Sequence, residues 1–496
     1  MKTAETPEVH IPCILWLLPL PPASALAQPL SLDEALSLAV VHHPEVVETG
    51  LMRDQARAAV LASRAAFDPA VRAAGGADRS RSQFFVAGFP SSADSEGWTA
   101  SLGVAGTTSI GTAWSLNAGV ERDVTTTLIS LTGTPQEQEQ ATWSTTVDVS
   151  VTQDVLAFLR SSAQANQVVS ARERLDLAEL TVLSATEAAV VEVADGWWAW
   201  WAAEADAQVA RQAEEQSALL LTQTQARFEE GQVPRVEVAR VESDRLSAER
   251  QLLLAEARVR SAADALLVAI GLEPGSPIAV VGDERVGTVG VEDSELAMRA
   301  AMDANLGLAV SRRELVVARR ALDDAREVGI PSLDLTVRAG LTTLTDTAGD
   351  AFTSLGNDGN NAFVAGALGL VVPLGGRAAR AACTEAEAGV DLAQVKLDAA
   401  MRELRAAVRR AIDQAETAAQ GVGLAERRVA VARTTEDAEQ ARVDEGVRRL
   451  DALLDARTIR QSAEADLVAA RVDRARAELQ LARLQGRLLP EVLRVE

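Results

Sequence analysis

Two short stretches of nearly identical sequence decide the fold of this chain: ARFEEG at residues 226–231 and ARVDEG at residues 441–446. Each closes a long run in which Leu, Val and Ala recur every three or four residues, the spacing of one face of an α-helix. Glycine directly after such a run is typical of a helix end, because it adopts the left-handed conformation without a Cβ penalty. The two stretches therefore predict two helical hairpin tips, with Gly231 and Gly446 at the turns.

The tips belong to a larger internal repeat. Pro69 and Pro331 each separate a helical segment from a strand-like one and lie 262 residues apart, whereas the two tips lie 215 residues apart. The first copy thus holds 47 additional residues between Pro69 and its tip. This division gives a first repeat at 28–272, a connector containing Pro and Gly at 273–290, and a second repeat at 291–496.

Each repeat is predicted to contain the same elements in the same order: a helix of about 35 residues, strands, a very long helix and a returning helix. The long helices are expected over 156–229 and 377–445, and the returning helices over 236–270 and 450–488. At 1.5 Å per residue the first long helix spans about 110 Å, which is too long for packing around one globular core. This patterning is also typical of a soluble coiled-coil scaffold, and the helices alone do not distinguish the two.

Three segments alternate apolar and polar residues as half-buried strands do: 98–104, 113–121 and 333–341. Alternating segments of about ten residues are typical of outer-membrane β-barrels, in which apolar side chains face lipid and polar ones face the lumen. An ordinary two-faced antiparallel sheet remains the alternative. Polar stretches between the strands are predicted to be surface loops, at residues 78–97, 125–139 and 345–361.

The number of strands has a consequence for assembly. One chain offers roughly four to six strands, but bacterial barrels need at least about eight. A membrane barrel must also close, because an unpaired strand edge leaves backbone groups unsatisfied in lipid. A barrel of these strands therefore requires several chains. Such barrels usually carry aromatic girdles, and in a chain without tyrosine the candidates are Trp98, Trp114 and Trp143.

Composition excludes other classes of protein. The 496 residues carry a formal net charge of −23, whereas a nucleic-acid-binding surface is positively charged. Apolar residues make up 48%, which is too many for a disordered acidic chain.

Residues 1–27 combine an apolar core with a small-residue cleavage site after Ala27, which is typical of a secretory signal peptide. Cys383 is the only cysteine after that segment, so no internal disulfide is expected.

The sequence offers no catalytic or cofactor-binding motif. After the signal segment the only histidines are His42 and His43, and neither they nor Cys383 have the spacing of zinc ligands. Gly375 and Gly376 lack the lysine of a phosphate-binding loop. We therefore expect no enzyme activity, no cofactor and no metal site.

Several segments, taken in order, resemble the TolC family of outer-membrane efflux channels over about residues 30–490. His43 stands where the family usually has asparagine, and Asp154 stands where it usually has proline. The matching segments are the opening helix, the entry into and exits from the strands, and the two tips: 30–36 (LSLDEAL), 42–45 (HHPE), 67–69 (FDP), 149–156 (VSVTQDVL), 371–374 (VVPL), 226–231 and 441–446.

The resemblance implies a mostly helical fold with strands, a trimeric α/β-barrel of the TolC type. Long coiled-coil hairpins would form a periplasmic tunnel, and a shared β-barrel would cross the outer membrane. The implied function is a passive exit duct for small molecules or proteins, in a tripartite efflux pump or a type I secretion system. The implied partners are a periplasmic adaptor (membrane fusion) protein and an inner-membrane transporter. The alternative function is a periplasmic coiled-coil scaffold or adaptor without a pore.

The resemblance also implies two kinds of site at the hairpin tips. The first is the docking site for the adaptor, which the resemblance places at the arginine and glycine of each tip: Arg227, Gly231, Arg442 and Gly446. In the second repeat Arg448 matches a gate-latching arginine, and Asp455, with Asp451 nearby, matches an acidic ring that narrows the pore. Three copies of a carboxylate around a narrow mouth would attract cations and repel anions.

Overall fold

The computed structural model describes residues 28–489, except 87–88, 131–134, 157–162, 281–293, 356–360 and 446–449. The predicted signal peptide, residues 1–27, lies outside the described residues. The helices are α1 (Leu32–His42), α2 (Pro44–Arg64), α3 (Ala163–Glu229), α4 (Arg235–Ala269), α5 (Ser294–Ala304), α6 (Leu306–Glu327), α7 (Ala348–Thr353), α8 (Arg377–Asp444) and α9 (Leu450–Leu484). The strands are β1 (Gln28–Leu30), β2 (Ala70–Val86), β3 (Phe89–Thr107), β4 (Thr112–Ser130), β5 (Pro135–Asp154), β6 (Ile278–Val280), β7 (Ser332–Thr345) and β8 (Ala362–Val371).

The opening helix of each repeat is broken in two, which corrects the prediction of one helix of about 35 residues. In the first repeat the break falls at His43, whose Nδ1 accepts a hydrogen bond from the Glu45 amide at 3.3 Å. In the second it falls at Asn305, whose Oδ1 accepts from the Leu308 amide at 3.0 Å. Both residues cap the following helix, because its first amides have no partner inside the helix. The matching caps support the internal repeat.

The long helices and their returning partners lie close to the predicted positions. α8 and α9 end within four residues of the predicted ends, and α4 is displaced by one residue. α3 ends at Glu229 as predicted but begins at Ala163, after a gap in the described residues. Helical periodicity and the tip glycines were therefore sufficient to place these hairpins.

Residues 28–37 and 193–280 belong to one compact unit. In it β1 pairs in parallel with β6, the strand formed inside the predicted connector. Ion pairs along the helices join Arg211 to Glu256 and Glu214 to Arg245, so the second half of α3 runs antiparallel to α4. Two tryptophans of α3, Trp197 and Trp200, are buried in the core of this unit, and the Trp197 indole donates to the Leu30 carbonyl at 3.4 Å.

Residues 38–192 and 294–489 belong to the second unit. Its helical core forms where α5 and α6 pack on α8, around buried residues such as Leu308, Leu404 and Val408. α8 and α9 form an antiparallel hairpin with a smaller cluster around Val429 and Ala463. The first part of α3 binds α6 through polar pairs, for example Asn166 with Glu327, Ser170 with Asp324 and Arg313 with Glu173.

The second unit also contains the large sheet, in the order β2-β3-β4-β5-β7-β8 with every neighbouring pair antiparallel. Its six strands agree with the expected number.

The loop predictions at 78–97 and 125–139 were wrong, because β2 to β5 continue through most of both stretches. The prediction at 345–361 was wrong in part, since α7 lies there. Strands with polar residues on both faces lose the alternation by which they are recognised.

Candidate pore wall and helix tips

The six-stranded sheet has one continuous apolar face. The strand register aligns one residue of each strand in a row across the sheet, and one such row runs from Val71 through Val104, Leu116, Val149 and Ala339 to Val364. Large side chains on this face are exposed: Val364 by 79%, Leu368 by 67% and Leu102 by 56%. An exposed apolar surface of this extent marks a face that is covered by lipid or by another protein.

The opposite face is mostly polar and cross-linked by hydrogen bonds. Arg338 donates two hydrogen bonds to Asp148, at 2.7 and 3.0 Å, and Asn117 donates to the same carboxylate at 3.5 Å. The hydroxyls of Thr146 and Thr342 are 3.1 Å apart. Alternation of apolar and polar faces across all six strands is the pattern of a barrel wall between lipid and a water-filled lumen.

Tryptophans mark two levels on the apolar face. Trp98 and Trp143 contact edge to face, with ring centroids 5.3 Å apart, and Arg122 lies over Trp143 at 5.7 Å from its centroid. Trp114 lies on the same face of β4, eight residues before Arg122. Eight residues of strand span about 27 Å, which at the 35–45° tilt of barrel strands is about 20 Å of height, comparable with an apolar band about 25 Å tall between aromatic girdles. The three tryptophans thus lie where girdle residues are expected.

The first helix tip is described in full. Arg227 lies in the last turn of α3, and its carbonyl accepts a hydrogen bond from the Gln232 amide at 2.9 Å. Gly231 has a φ of +74°, the left-handed conformation that closes a helix without a Cβ penalty. Apart from Gly231 itself and its neighbours along the chain, no atom lies within 4 Å of the position that a Cβ on Gly231 would occupy. The tip therefore presents an open surface of backbone and the partly exposed side chain of Phe228.

The second tip is described in part. Arg442 lies in the last turn of α8 and pairs with Glu439 at 2.6 Å. The predicted tip glycine Gly446 and the predicted latch Arg448 lie outside the described residues. Asp451 belongs to the first turn of α9, and Asp455 is exposed one turn further along.

Behind this second tip lies a cluster of ion pairs that the sequence did not single out. Glu436 of α8 pairs with Arg457 at 3.5 Å and with Arg460, and Arg460 also pairs with Glu464 at 2.8 Å. Arg433 completes the cluster by binding Glu464 at 2.9 Å. The side chains of Glu436, Arg457, Arg460 and Glu464 are each less than one-fifth exposed, so solvent screens these charges only weakly. The cluster fastens α8 to α9 directly behind the predicted gate.

A second unpredicted feature is the buried carboxyl group of Glu187 on α3. Its Oε2 lies 3.9 Å from Arg483, and its buried Oε1 has no hydrogen-bond partner. Burial raises the pKa of Glu187 to about 7, and the charge of Arg483 offsets only part of that rise. The ionised form is therefore disfavoured in the folded chain.

Glu187 predicts a pH dependence of stability. A carboxyl group whose pKa is higher in the folded chain destabilises the fold as it ionises, so stability falls as the pH rises from 4.5 towards 7. The rise in pKa corresponds to about 3 kcal/mol. We expect Glu187→Gln to raise the melting temperature at pH 8 and to reduce its decrease between pH 5 and pH 8. Glu179→Gln, at an exposed position of the same helix, is the control; an equal response of both variants would contradict the prediction.

The described residues provide little for metal chemistry. No group of three or more His, Cys, Asp or Glu side chains there is arranged to hold a metal ion. His43 lies 3.4 Å from Glu192, and Cys383 is a free, partly buried thiol. Among the same residues, no helix has the length and hydropathy needed to span a membrane.

The long helical hairpins and the two-faced sheet define an outer-membrane channel fold, and solved structures share it. The chain aligns with the CmeC outer membrane channel of Campylobacter jejuni at a TM-score of 0.67 and 13% identity, covering 92% of this chain and 86% of that one. The chain aligns with VceC, an outer membrane protein of Vibrio cholerae, at a TM-score of 0.64 and 15% identity, covering 92% of this chain and 96% of that one. It aligns with the MtrE outer membrane channel of Neisseria gonorrhoeae at a TM-score of 0.65 and 16% identity, covering 92% of this chain and 89% of that one.

The sequence itself identifies the family. A model described as outer membrane efflux protein matches residues 35–272 and 298–487, one segment in each repeat, and the chain belongs to this family. No curated protein matches it significantly. The chain is thus an outer-membrane efflux channel subunit, with its helical barrel in the periplasm. The family is one of transport proteins rather than enzymes, and nothing supports the alternative of a scaffold without a pore.

Proposed function

We propose that three copies of this chain form a homotrimeric channel, with the sheets of the three chains closed into one barrel. The observation that carries the proposal is the form of the sheet. Within the described sheet β2 and β8 each pair on one side only, although an unpaired edge is costly in lipid. Pairing β2 of one chain with β8 of the next would remove every edge and direct all apolar faces outward.

The trimer would be a passive exit duct for small molecules or proteins. Its polar face, with the pair of Asp148 and Arg338, would line a water-filled lumen. A duct needs an energy source elsewhere, so we propose an inner-membrane transporter and a periplasmic adaptor as partners, in a tripartite efflux pump or a type I secretion system. The adaptor would dock at the tips, on Arg227 and Gly231 of one hairpin and Arg442 and Gly446 of the other. The open surface around Gly231 supports this role.

The first experiment measures assembly. The protein is extracted from membranes in detergent, and its native mass is compared with that of one chain. A mass of three chains, recovered from the outer membrane fraction, is the expected result. A monomer in the soluble periplasmic fraction would overturn the proposal. Photocrosslinkers placed at Arg227 and at the exposed Arg174 on the same helix then test docking, since only the tip position is expected to capture an adaptor.

We also propose that Arg448, Asp451 and Asp455 form the periplasmic gate. The exposure of Asp455 near the start of α9 supports an acidic ring there. Three copies of two carboxylates would raise the cation concentration at the mouth of the pore. Replacement of both aspartates by asparagine is therefore expected to shift the reversal potential in a salt gradient towards lower cation selectivity.

The gate measurement uses planar bilayers with channels from the doubly substituted chain. The control replaces Asp391 and Asp413, exposed carboxylates on α8 far from the second tip, and removes the same amount of charge from another region. Unchanged selectivity in the gate variant, or an equal loss in the control, would refute the assignment of the acidic ring.

A further inference from the structure

The two repeats contribute unequally to the sheet. The first provides β2, β3, β4 and β5, whereas the second provides only β7 and β8. The entries Pro69 and Pro331 lie 262 residues apart, but the exits at Asp154 and Pro373 lie 219 residues apart, so 43 extra residues fall among the strands of the first repeat. β3 and β4 together occupy residues 89–130. In the internal repeat, β2 therefore corresponds to β7 and β5 corresponds to β8. β3 and β4 have no counterpart in the second repeat and form an inserted hairpin.

The inserted hairpin belongs fully to the wall. β2 pairs along its whole length with β3, and β4 pairs along its whole length with β5. Its apolar face, which includes Leu102 and Leu116, continues that of the neighbouring strands, and both side chains are exposed. Its polar face joins the hydrogen-bond network, since Asn117 donates to Asp148 and Ser95 donates to Asp123 at 2.6 Å. A surface loop or a plug would not continue both faces of the sheet.

We propose that the β3–β4 hairpin sets the width of the outer-membrane pore. The proposal rests on the homotrimer proposed above. Three chains with two strands from each repeat would close a barrel of twelve strands, whereas three six-stranded sheets close a barrel of eighteen. Barrel diameter grows roughly in proportion to strand number, so the inserted hairpins widen the barrel about 1.5-fold. Barrels of 16–18 strands enclose an aqueous channel. The eighteen-stranded barrel would therefore admit bulkier hydrophilic solutes than a twelve-stranded barrel without the β3–β4 hairpins.

The register makes the hairpin removable. Arg72 of β2 and Asp148 of β5 belong to one row, through Gly103 and Asn117. Deletion of residues 89–134 would therefore place Arg72 directly opposite Asp148, on the same polar face. In the same register Phe85 would lie opposite Pro135, the first residue of β5, and residues 86–88 would form the turn between the two strands. The deletion variant thus keeps the apolar and polar faces of the remaining four strands.

The test compares full-length and deletion channels in planar bilayers. Poly(ethylene glycol) of graded size is added on the extracellular side, so that polymer entry reports the membrane segment rather than the periplasmic gate. The largest polymer radius that enters is expected to be about 1.5-fold greater for the full-length chain. Equal limits in the two channels would overturn the proposal.

Electron cryomicroscopy of the full-length trimer provides a second measurement, which holds even if the deletion variant does not assemble. Eighteen strands in the barrel wall would support the proposal. Twelve strands, with the hairpins folded away from the wall, would overturn it while leaving the trimeric channel intact. An assembly that is not trimeric would instead refute the proposed function.

Discussion

Leu341→Arg is expected to prevent assembly of the channel in the outer membrane. Leu341 belongs to the apolar face of β7, four residues from Val337 in the row of Trp114 and four from Thr345 in the row of Trp143. It thus lies midway between the two tryptophan levels. Arginine on the lipid face of a barrel costs about 2–4 kcal/mol at the bilayer midplane, and a trimer incurs this cost in each chain.

The neighbouring residue provides the matched control. Thr342 lies on the polar face, where its hydroxyl contacts that of Thr146, and Thr342→Arg would direct the charge into the lumen. We expect this variant to retain the heat-resistant trimer on gels and normal recovery in the outer membrane, and Leu341→Arg to lose both. Equal recovery of the two variants would contradict the assignment of the two faces.

Arg460→Ala is expected to loosen the second hairpin tip. Arg460 is 12% exposed and connects Glu436 of α8 with Glu464 of α9. Removing one partner of a buried ion pair typically costs about 3–5 kcal/mol, because it leaves the other charge uncompensated. Here Arg457 still binds Glu436 and Arg433 still binds Glu464, so we expect the lower end of that range, about 3 kcal/mol.

Hydrogen exchange at the ends of α8 and α9 measures this effect. Faster exchange is expected in Arg460→Ala around the tip, together with a higher open probability of the channel, because the gate residues lie directly beyond the cluster. Arg428→Ala is the control, since its pair with Asp466 is half exposed and pairs of that kind contribute about 0–1 kcal/mol. Similar exchange in both variants would show that the cluster does not stabilise the tip.

The helical part of the fold could be predicted because its signals are local. Helix periodicity, the prolines and the tip glycines placed α3, α4, α8 and α9 within a few residues, apart from the start of α3. The central parts of the strands were found for the same reason: Leu102, Leu116 and Leu335 alternate with polar residues. The outer parts, for example Asp78 to Gln83, were missed because both faces are polar there and alternation disappears.

Other features depend on strand or helix register, which no local pattern contains. The cluster around Arg460 joins α8 to α9 through pairs of residues 21 to 31 positions apart, each of which is individually an ordinary member of a charged helix face. Glu187 likewise becomes unusual only when Arg483 and the surrounding helices bury it. The 47-residue excess was visible in the sequence, but only the register of β3 and β4 assigned it to the wall. The tip and gate roles of Arg227, Gly231 and their counterparts stay predictions.

Accessibility along β7 tests the central claim, that this sheet is the wall of a membrane channel, most directly. Single cysteines are placed at each position from Ser332 to Thr345 in a Cys383→Ser background, and the reconstituted protein is labelled with a water-soluble maleimide and with a lipid-soluble one. Alternation is predicted between Val337 and Thr345, with odd positions reached from lipid and even positions from water. The exception is Thr343, which is buried and donates a hydrogen bond to the Ala351 carbonyl of α7, so that neither reagent is expected to reach it. Uniform labelling by the water-soluble reagent on both faces would contradict the account.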